Sequence, residues 1–525
     1  VATSRNFKNI SATTTPKKMA AKYDNMITAI INMLNKQGPI YSTWIRFQIG
    51  ETEPITFDST SDNKKENMIA GLTFNKKGAG TVNDFELVIK YDPFDYGQNT
   101  QDKVELLDEL IAHAMRVDMN DSNKRLRGFI QYGYNVPDDT TLVSPKYEFF
   151  LTNAESEIDW STGISEYTFE GTTMLAIDAD FSTSIPEFKG EGEEKGINLI
   201  DIVESVLWSY YGISSNQPSH LVGNLTHHAN DYNYKIEVDD DIRKDAPEIT
   251  TSAVSSQSPW IYCRDLLESH MSKSDEDKQK YKEDMPYREV PHYLMYVTDE
   301  ADNKTIHITY ICPADSSANN VKINHVFEWG KEGIPDIVVK WNPQVDLRLY
   351  LIQKAANKRA SEIKKAAGDN ASEEFLNAVK NNYLRNADVY EMYDAVLTTI
   401  GIPADVPLCA EFTIKPRILE SDSRTAGIYM LQGCTDRIAS NGTFVSEIKL
   451  LRIRDIGAAP VSNAKAQEKS TGKDTIDLTT ETNKTNDTNE SNVISQSSIS
   501  ISKVEWDKEP ASSRPSSYIP GMSLG

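Results

Sequence analysis

Apolar and polar residues change their period several times along the chain. Met19, Tyr23, Met26, Ile27, Ile30, Ile31 and Leu34 recur at helical spacing until Gly38-Pro39 ends the run. This predicts an amphipathic helix behind a polar, basic arm, with its apolar stripe packed on its own chain. From residue 40 the period falls to two. Ile45, Phe47 and Ile49 alternate with Arg46 and Gln48, and Phe85, Leu87, Ile89 and Tyr91 alternate with Glu86, Val88 and Lys90. After a helical stretch through Val104, Leu107, Leu110, Ile111 and Ala114, alternation returns at Leu126, Ile130, Tyr132 and Tyr134, at Lys146 to Leu151, and at Tyr167 and Phe169. Strands with one wet face and one helix predict an antiparallel β barrel or sandwich over residues 40–187.

A Gly- and Glu-rich stretch, Phe188 to Gly196, reads as a linker into a central α+β segment, residues 188–330. Leu199, Ile200, Val203, Val206, Leu207 and Tyr210 make a helix that Gly212 ends. A polar loop region runs to about residue 257. Ser258 and Pro259 then open a second helix as N-cap and first turn, and His292 to Thr298 pairs with Thr305 to Ile311 in a hairpin. In residues 331–457, strands are expected at Val338 to Trp341 and near Leu347 to Leu351, following one at Val326 to Trp329. An Ala/Lys-rich helical insertion follows over about 353–400, covering Gln353 to Ala367 and Ser372 to Thr399. Strands return at Glu411 to Lys415, Gly427 to Gln432 and Thr443 to Ile453. The fold class this predicts is α+β, mainly antiparallel β.

Residues 458–525 have a different character. From Ala458 to Gln496 the chain is Ser, Thr, Asn, Asp, Lys and Glu, with too little apolar area to offset the entropy of ordering it, so a disordered tail is expected. Ile499, Ile501, Val504, Trp506, Tyr518 and Ile519 then restore apolar anchors suited to docking on a partner.

Charge narrows the function. The 525 residues include 55 Lys and Arg against 78 Asp and Glu, a formal charge of −23. Such a balance opposes wrapping of nucleic-acid backbones and stable binding to an anionic membrane, both of which need a basic surface. No run approaches the ~20 apolar residues of a membrane span, and Val1 to Lys18 lacks a signal-peptide core, which predicts a soluble chain made in a cytoplasm. Cys263, Cys312, Cys409 and Cys434 are far apart with no C-x-x-C pair, so they read as small core residues.

Candidate chemistry is sparse. Gly190, Gly192 and Gly196 lack the Gly-Lys-Ser/Thr ending of a phosphate loop. His227 and His228 are adjacent in a polar loop and point apart on extended backbone, so they would not ligate one metal together. His307, mid-strand and opposite in face to Ile306 and Ile308, reads as a solvated strand residue rather than a general base. His113 and His325 have no Cys, Asp or His at metal spacing. Asp239, Asp240 and Asp241 lack the alternating oxygens, central Gly and terminal Glu of a calcium loop, and read as a solvated acidic turn. With no G-x-S-x-G elbow or H-E-x-x-H helix, no catalytic, cofactor-binding or metal-ligating residue is assigned, and the expectation is a protein that is not an enzyme.

The order of elements in the last segment carries a resemblance: Ala355, Ala356 and Ala360 in a helix, Gly401-Ile402-Pro403 before a strand, Gly427-Ile428-Tyr429, and Asn441-Gly442-Thr443-Phe444 leading into Ile448, Leu450 and Leu451. With Ile45 to Ile49, Asn83 to Tyr91 and Asp159 to Gly171, this resembles the late-control-D-like baseplate hub proteins of contractile phage tails, over about residues 40–455. The resemblance implies two tail-tube-like β-barrel domains, 40–187 and 331–457, around the central domain. It implies a homotrimer that matches a six-fold tail tube to a three-fold central spike or needle, with baseplate wedge proteins and a tape-measure protein as further partners. DNA would touch it only in passage, along an acidic channel that repels phosphate. The expected place is the tail baseplate of a virion, assembled in the host cytoplasm. Two other readings stand beside it: a tail-borne cell-wall hydrolase using residues 190–330, and a peripheral baseplate or receptor-contact protein.

Overall fold

The computed structural model describes most residues from Thr15 to Ile456; the segments 116–126, 270–291, 312–320 and most of 368–392 fall outside the description, as do 1–14 and 457–525. The predicted N-terminal arm and C-terminal tail therefore lie outside the described residues. The principal elements, in chain order, are α1 (Thr15–Gln37), β1 (Ser42–Ile49), β2 (Ile55–Asp58), β3 (Ile69–Lys76), β4 (Asp84–Tyr91), α2 (Gln101–Met115), β5 (Arg127–Asn135), β6 (Tyr147–Ile158) and β7 (Ser165–Thr172). Then come α3 (Leu199–Tyr211), β8 (Lys235–Val238), α4 (Asp240–Asp245), α5 (Pro259–Ser269), β9 (His292–Glu300), β10 (Asn303–Ile311), β11 (Lys322–Trp329) and β12 (Val338–Pro343). The last are α6 (Leu347–Ala367), β13 (Ala395–Ile400), β14 (Glu411–Ile418), β15 (Gly427–Ala439) and β16 (Phe444–Arg454). Antiparallel pairing dominates, with β8–β10 and β11–β14 parallel. The chain is α+β and mainly antiparallel β.

Two hydrophobic cores organise these elements. The larger draws on both ends of the sequence, from Tyr23, Phe47, Phe74 and Tyr132 to Phe327, Phe412, Phe444 and Leu450. The second surrounds α3, whose Leu199, Ile200, Ile202, Val203, Val206 and Leu207 are all buried, with Trp260 and Cys263 of α5 and Tyr293 and Ile306 of the β9–β10 hairpin. Helix α3 starts where Asn198 Oδ1 accepts from the Ile200 amide at 2.9 Å, and Arg243 of α4 ties down its first turns through Asp201 and Glu204.

In the larger core, a four-stranded sheet ordered β6–β7–β4–β3 meets another ordered β15–β16–β13–β12. The two match residue for residue in register. β6 begins by pairing Tyr147–Phe150 with β5, as β15 begins by pairing Gly427–Met430 with β14. Each long strand then skips one residue against its neighbour, Thr152 in β6 and Gln432 in β15. Each fourth strand also skips one, Ala70 in β3 and Val339 in β12. A β-bulge is a built feature that bends and twists a strand, so bulges at corresponding stations mark a repeated sheet.

Several element predictions need correction. Leu347 to Leu351 opens α6 rather than forming a strand, because Pro343 closes β12 and the helix of good formers behind it extends back toward it. The insertion read as helical to about residue 400 ends earlier: Ala395–Ile400 is β13, sealed between β12 and β16, where Ala395, Leu397 and Thr399 face the core. The stretch expected to be polar loop holds β8 and α4, whose Ile236 and Ile242 reach the second core. Phe188, placed in a linker, is buried there too, and Phe188–Lys189 pairs with Thr251–Ser252.

Helix α1 lies along β11, with Tyr23 edge-on to Phe412 at 6.1 Å. Asp24 accepts from the backbone amides of Asn324 and His325, both at 3.0 Å, so a carboxylate occupies donors that a sheet edge would otherwise present. Helix α2 does the corresponding work at β2, where Lys103 Nζ donates to the Thr56 carbonyl at 2.9 Å. Replacing Asp24 with Ala is expected to lower stability by about 1–2 kcal/mol in denaturant melts and to raise the tendency to aggregate in light scattering, by uncovering the β11 edge.

Candidate functional site

The strands that end the two repeated sheets pair with each other. β3 and β15 run antiparallel in register from Lys76 opposite Cys434 to Gly71 opposite Ala439, which makes one sheet of eight strands. Strand parity then puts Asp436 on the core face, between buried Cys434 and Ile438. A carboxylate there requires partners, and it has them. Lys76 Nζ lies 2.8 Å from Asp436 Oδ2, Tyr132 Oη donates to the same oxygen at 2.6 Å, and Ser446 Oγ donates to Oδ1 at 2.5 Å. Lys76 also reaches the Ala404 carbonyl at 2.9 Å and Asp405 Oδ1 at 3.7 Å, and Tyr147 Oη donates to Asp405 at 2.6 Å.

These side chains come from both sheets and from the loop after β13, so the cluster ties the repeats together. Burial works against the charged form of Lys76, but Asp436 and Asp405 outweigh it and hold the ammonium above its ordinary range. Burial, then Asp436, pushes the Tyr132 phenol up; burial, then Asp405, does the same for Tyr147, so both stay protonated donors. Burial also raises Asp405, against the pull of Lys76 and the Tyr147 hydrogen bond. Beside the cluster is a cavity of about 40 Å³ lined in part by Met19, Lys76, Asp405, Tyr296 and Cys434, mainly apolar with Lys76 and Asp405 on its wall, and large enough for water.

The joint closes at its other end by shape. Phe444 packs between Tyr132 and Tyr134, with ring centroids 5.7 and 5.3 Å away. The β15–β16 turn lays Gly442, at φ +79°, against Ser59, where a Cβ would come within 2.4 Å of the hydroxyl oxygen. Thr43 Oγ1 donates to the Gly442 carbonyl at 3.2 Å.

A second buried carboxylate connects the sheets to the central lobe. Asp299, at the end of β9, accepts from Asn83 Nδ2 at 2.6 Å, Thr173 Oγ1 at 2.8 Å and Tyr234 Oη at 2.5 Å. Next to it Lys304 Nζ meets Glu148 at 2.5 Å, and Glu300 pairs with Tyr147 across the strands. Burial lifts Asp299 to about 6, against the hydrogen bonds from Tyr234 and Thr173.

None of the residues weighed from sequence gathers into a reactive centre among the described residues. His307 is not solvated: it is buried, bonded to Thr298 Oγ1 at 3.0 Å, 3.4 Å from Glu237 and stacked on Tyr296 at 4.8 Å, because both faces of β10 are covered. His227 is half-buried, its Nε2 3.0 Å from the Gly212 carbonyl and its ring 4.6 Å from Trp208. His325 is half-buried over Phe327, and His113 lies on α2. Asp240 and Asp241 open α4, while Asp239, His228, Gly190 and Gly192 lie outside the described residues. Cys263 and Cys434 are buried; Cys312 and Cys409 are outside the description. Among the described residues no three His, Cys, Asp or Glu side chains assemble a metal site. The groups that matter, Lys76, Asp436, Asp405 and Asp299, were not singled out by sequence. Asp436 carried a readable signal, an acid at a core-parity position within an apolar strand.

No family model matches the chain, and no curated protein matches it. Solved structures with a similar chain path include a tail protein from Neisseria meningitidis, 9% identical, covering 80% of this chain and 99% of that one at a TM-score of 0.42. A prophage tail protein from Shewanella oneidensis is 10% identical, covering 78% and 98% at 0.42. An E. coli protein described as a type VI secretion component with structural similarity to bacteriophage T4 tail proteins is 8% identical, covering 73% and 74% at 0.35.

Replacing Asp436 with Ala takes the nearer carboxylate from a buried ammonium, leaving it Asp405 at 3.7 Å, and deprives Tyr132 and Ser446 of their acceptor; it is expected to destabilise the fold by about 3–5 kcal/mol in equilibrium unfolding, with Asp436→Asn milder. For Asp299 the folded value near 6 exceeds the unfolded value of ~3.9, so the folded state binds the extra proton between those limits. Its contribution is most favourable below about pH 4 and is lost as pH rises through about 6. Unfolding at several pH values should show Asp299→Asn removing about 2–3 kcal/mol of that dependence.

Proposed function

We propose that this chain is a structural hub of a phage tail baseplate, in which three copies form a ring that joins a six-fold tail tube to a three-fold central spike. The observation that carries the reading is the repeated four-stranded sheet joined edge to edge through β3–β15. A chain that supplies the same sheet twice presents six equivalent units from three copies, which is what a junction between six-fold and three-fold symmetry requires. No reaction is assigned to it; the buried Lys76, Asp436 and tyrosine groups hold sheets together.

The N-terminal half of the eight-stranded sheet, on the face turned away from the core, fits a channel wall. Across β4, β6 and β7 it exposes Glu86, Glu155, Glu157, Glu166 and Glu170, with Lys90, while the same face of β12, β15 and β16 carries Lys340, Arg437 and Lys449 beside Glu447. Carboxylates repel a phosphate backbone, so DNA would pass without adhering. The tail tube, the spike and the wedge proteins are the partners this role calls for, the tape-measure protein a further one, and its place is the baseplate of the virion tail. A reconstruction of the particle is expected to show three copies on the tail axis between tube and spike; a peripheral position, or any other copy number, would overturn the reading.

A further inference from the structure

The repeat leaves two strand edges in a special position. The eight-stranded sheet ends at β12 on one side and at the distal half of β6, Asn153–Ile158, on the other. Among the described residues no strand pairs with either of these edges, whereas β11 and β2 are covered by Asp24 and Lys103. By register, β6 is the counterpart of β15, and β12 is the counterpart of β3. The partners that meet inside the chain as β3 and β15 therefore recur at its two ends as β12 and β6.

We propose that the distal half of β6 in one copy pairs antiparallel with β12 of the next copy, in the register of β3–β15. The correspondence fixes each pair. Arg437 opposite Thr73 becomes Glu157 opposite Asn342, Ile438 opposite Leu72 becomes Ile158 opposite Trp341, and Ala439 opposite Gly71 becomes Asp159 opposite Lys340. This inference rests on the ring reading above and specifies the contact that would build it.

The exposed apolar residues support the assignment. Ile158 is 45% exposed, while Ile438, its counterpart at the internal joint, is 1% exposed. Val339 and Trp160, 58% and 91% exposed, lie on the same two edges or beside them. The charges agree, since Asp159 would face Lys340. Backbone direction agrees as well: the Asp159 amide bonds inward to the Ile164 carbonyl and the Gln344 amide inward to Asp394, so alternation turns Ile158 and Ser156 outward on one edge and Trp341 and Pro343 outward on the other. Pro343 has no amide hydrogen, so that ladder lacks one donor; it also discourages pairing with unrelated strands. The β6–β7 turn is set in advance, Asp159 accepting from Ser161 and Thr162 side chains at 2.7 and 2.8 Å.

The test is a cysteine pair at a position whose side chains share a face, Glu157→Cys with Asn342→Cys, in the full chain, with mass measured by light scattering before oxidation. The expected result is a three-copy mass and, on mild oxidation, disulfide-linked species up to three chains. Neither single variant, nor Ser156→Cys with Asn342→Cys, whose side chains fall on opposite faces, should cross-link. Ile158→Asp should weaken self-association by about tenfold or more while leaving the circular dichroism spectrum of the folded chain unchanged. A three-copy mass without the specific cross-link overturns the strand pairing and leaves the ring standing. A monomer at every concentration overturns both, and a cross-linked ladder running past three chains supports the pairing and overturns the closed ring.

Discussion

The fold depends on one seam. β3 comes from the first quarter of the sequence and β15 from the last, and their pairing turns two sheets into one over a single shared core. Backbone pairing alone would leave the seam indifferent to register, because any antiparallel ladder satisfies amides. Asp436 removes that indifference. A shift by one residue would turn its carboxylate to the solvent face together with Cys434 and Ile438 and take from Lys76, Tyr132 and Ser446 their shared acceptor, so the polar cluster and the apolar packing select the same alignment.

The central lobe is attached by the same device in a different form. Asp299 collects three donors from two bodies, and a single strand pair, Glu300 with Tyr147, sits beside it. Both attachments centre on a buried carboxylate that gathers donors from each side. Tyr147 takes part in each, pairing with β9 through its backbone while its hydroxyl serves Asp405. The N-terminal sheet thus holds its two neighbours through one residue, and α1 bridges the same neighbours through Lys22 to Glu300 and Asp24 to β11.

Much of this was legible in the sequence where a single periodicity governed a segment. The alternation through Ile45, Phe47 and Ile49 is strand β1, the stripe from Met19 to Leu34 is helix α1, and the hairpin from His292 to Ile311 is β9–β10. Reading failed where tertiary contact decided the outcome. Ala395–Ile400 continues a run with no stop signal and becomes a strand because β12 and β16 flank it; His307 looks solvated by alternation until Tyr296 and Thr298 close over it. The duplication was implied by the resemblance and not by residue types. Corresponding positions share backbone geometry more often than residue type, Glu157 standing where the other sheet has Arg437, and hydrogen-bond register aligns the two sheets position by position.

The paired bulges carry a further consequence. Thr152 and Gln432, and Ala70 and Val339, are bulged residues that recur at the same station in each repeat, while Ile453 of β16 is skipped in the second sheet alone among the described residues. Curvature in such a structure is a count, so many degrees for every four strands, and a head-to-tail contact turns that count into either a closed circle or an endless helix. In the proposed ring, deleting one of these surplus residues would flatten the arc by a discrete step and alter how many units complete a turn.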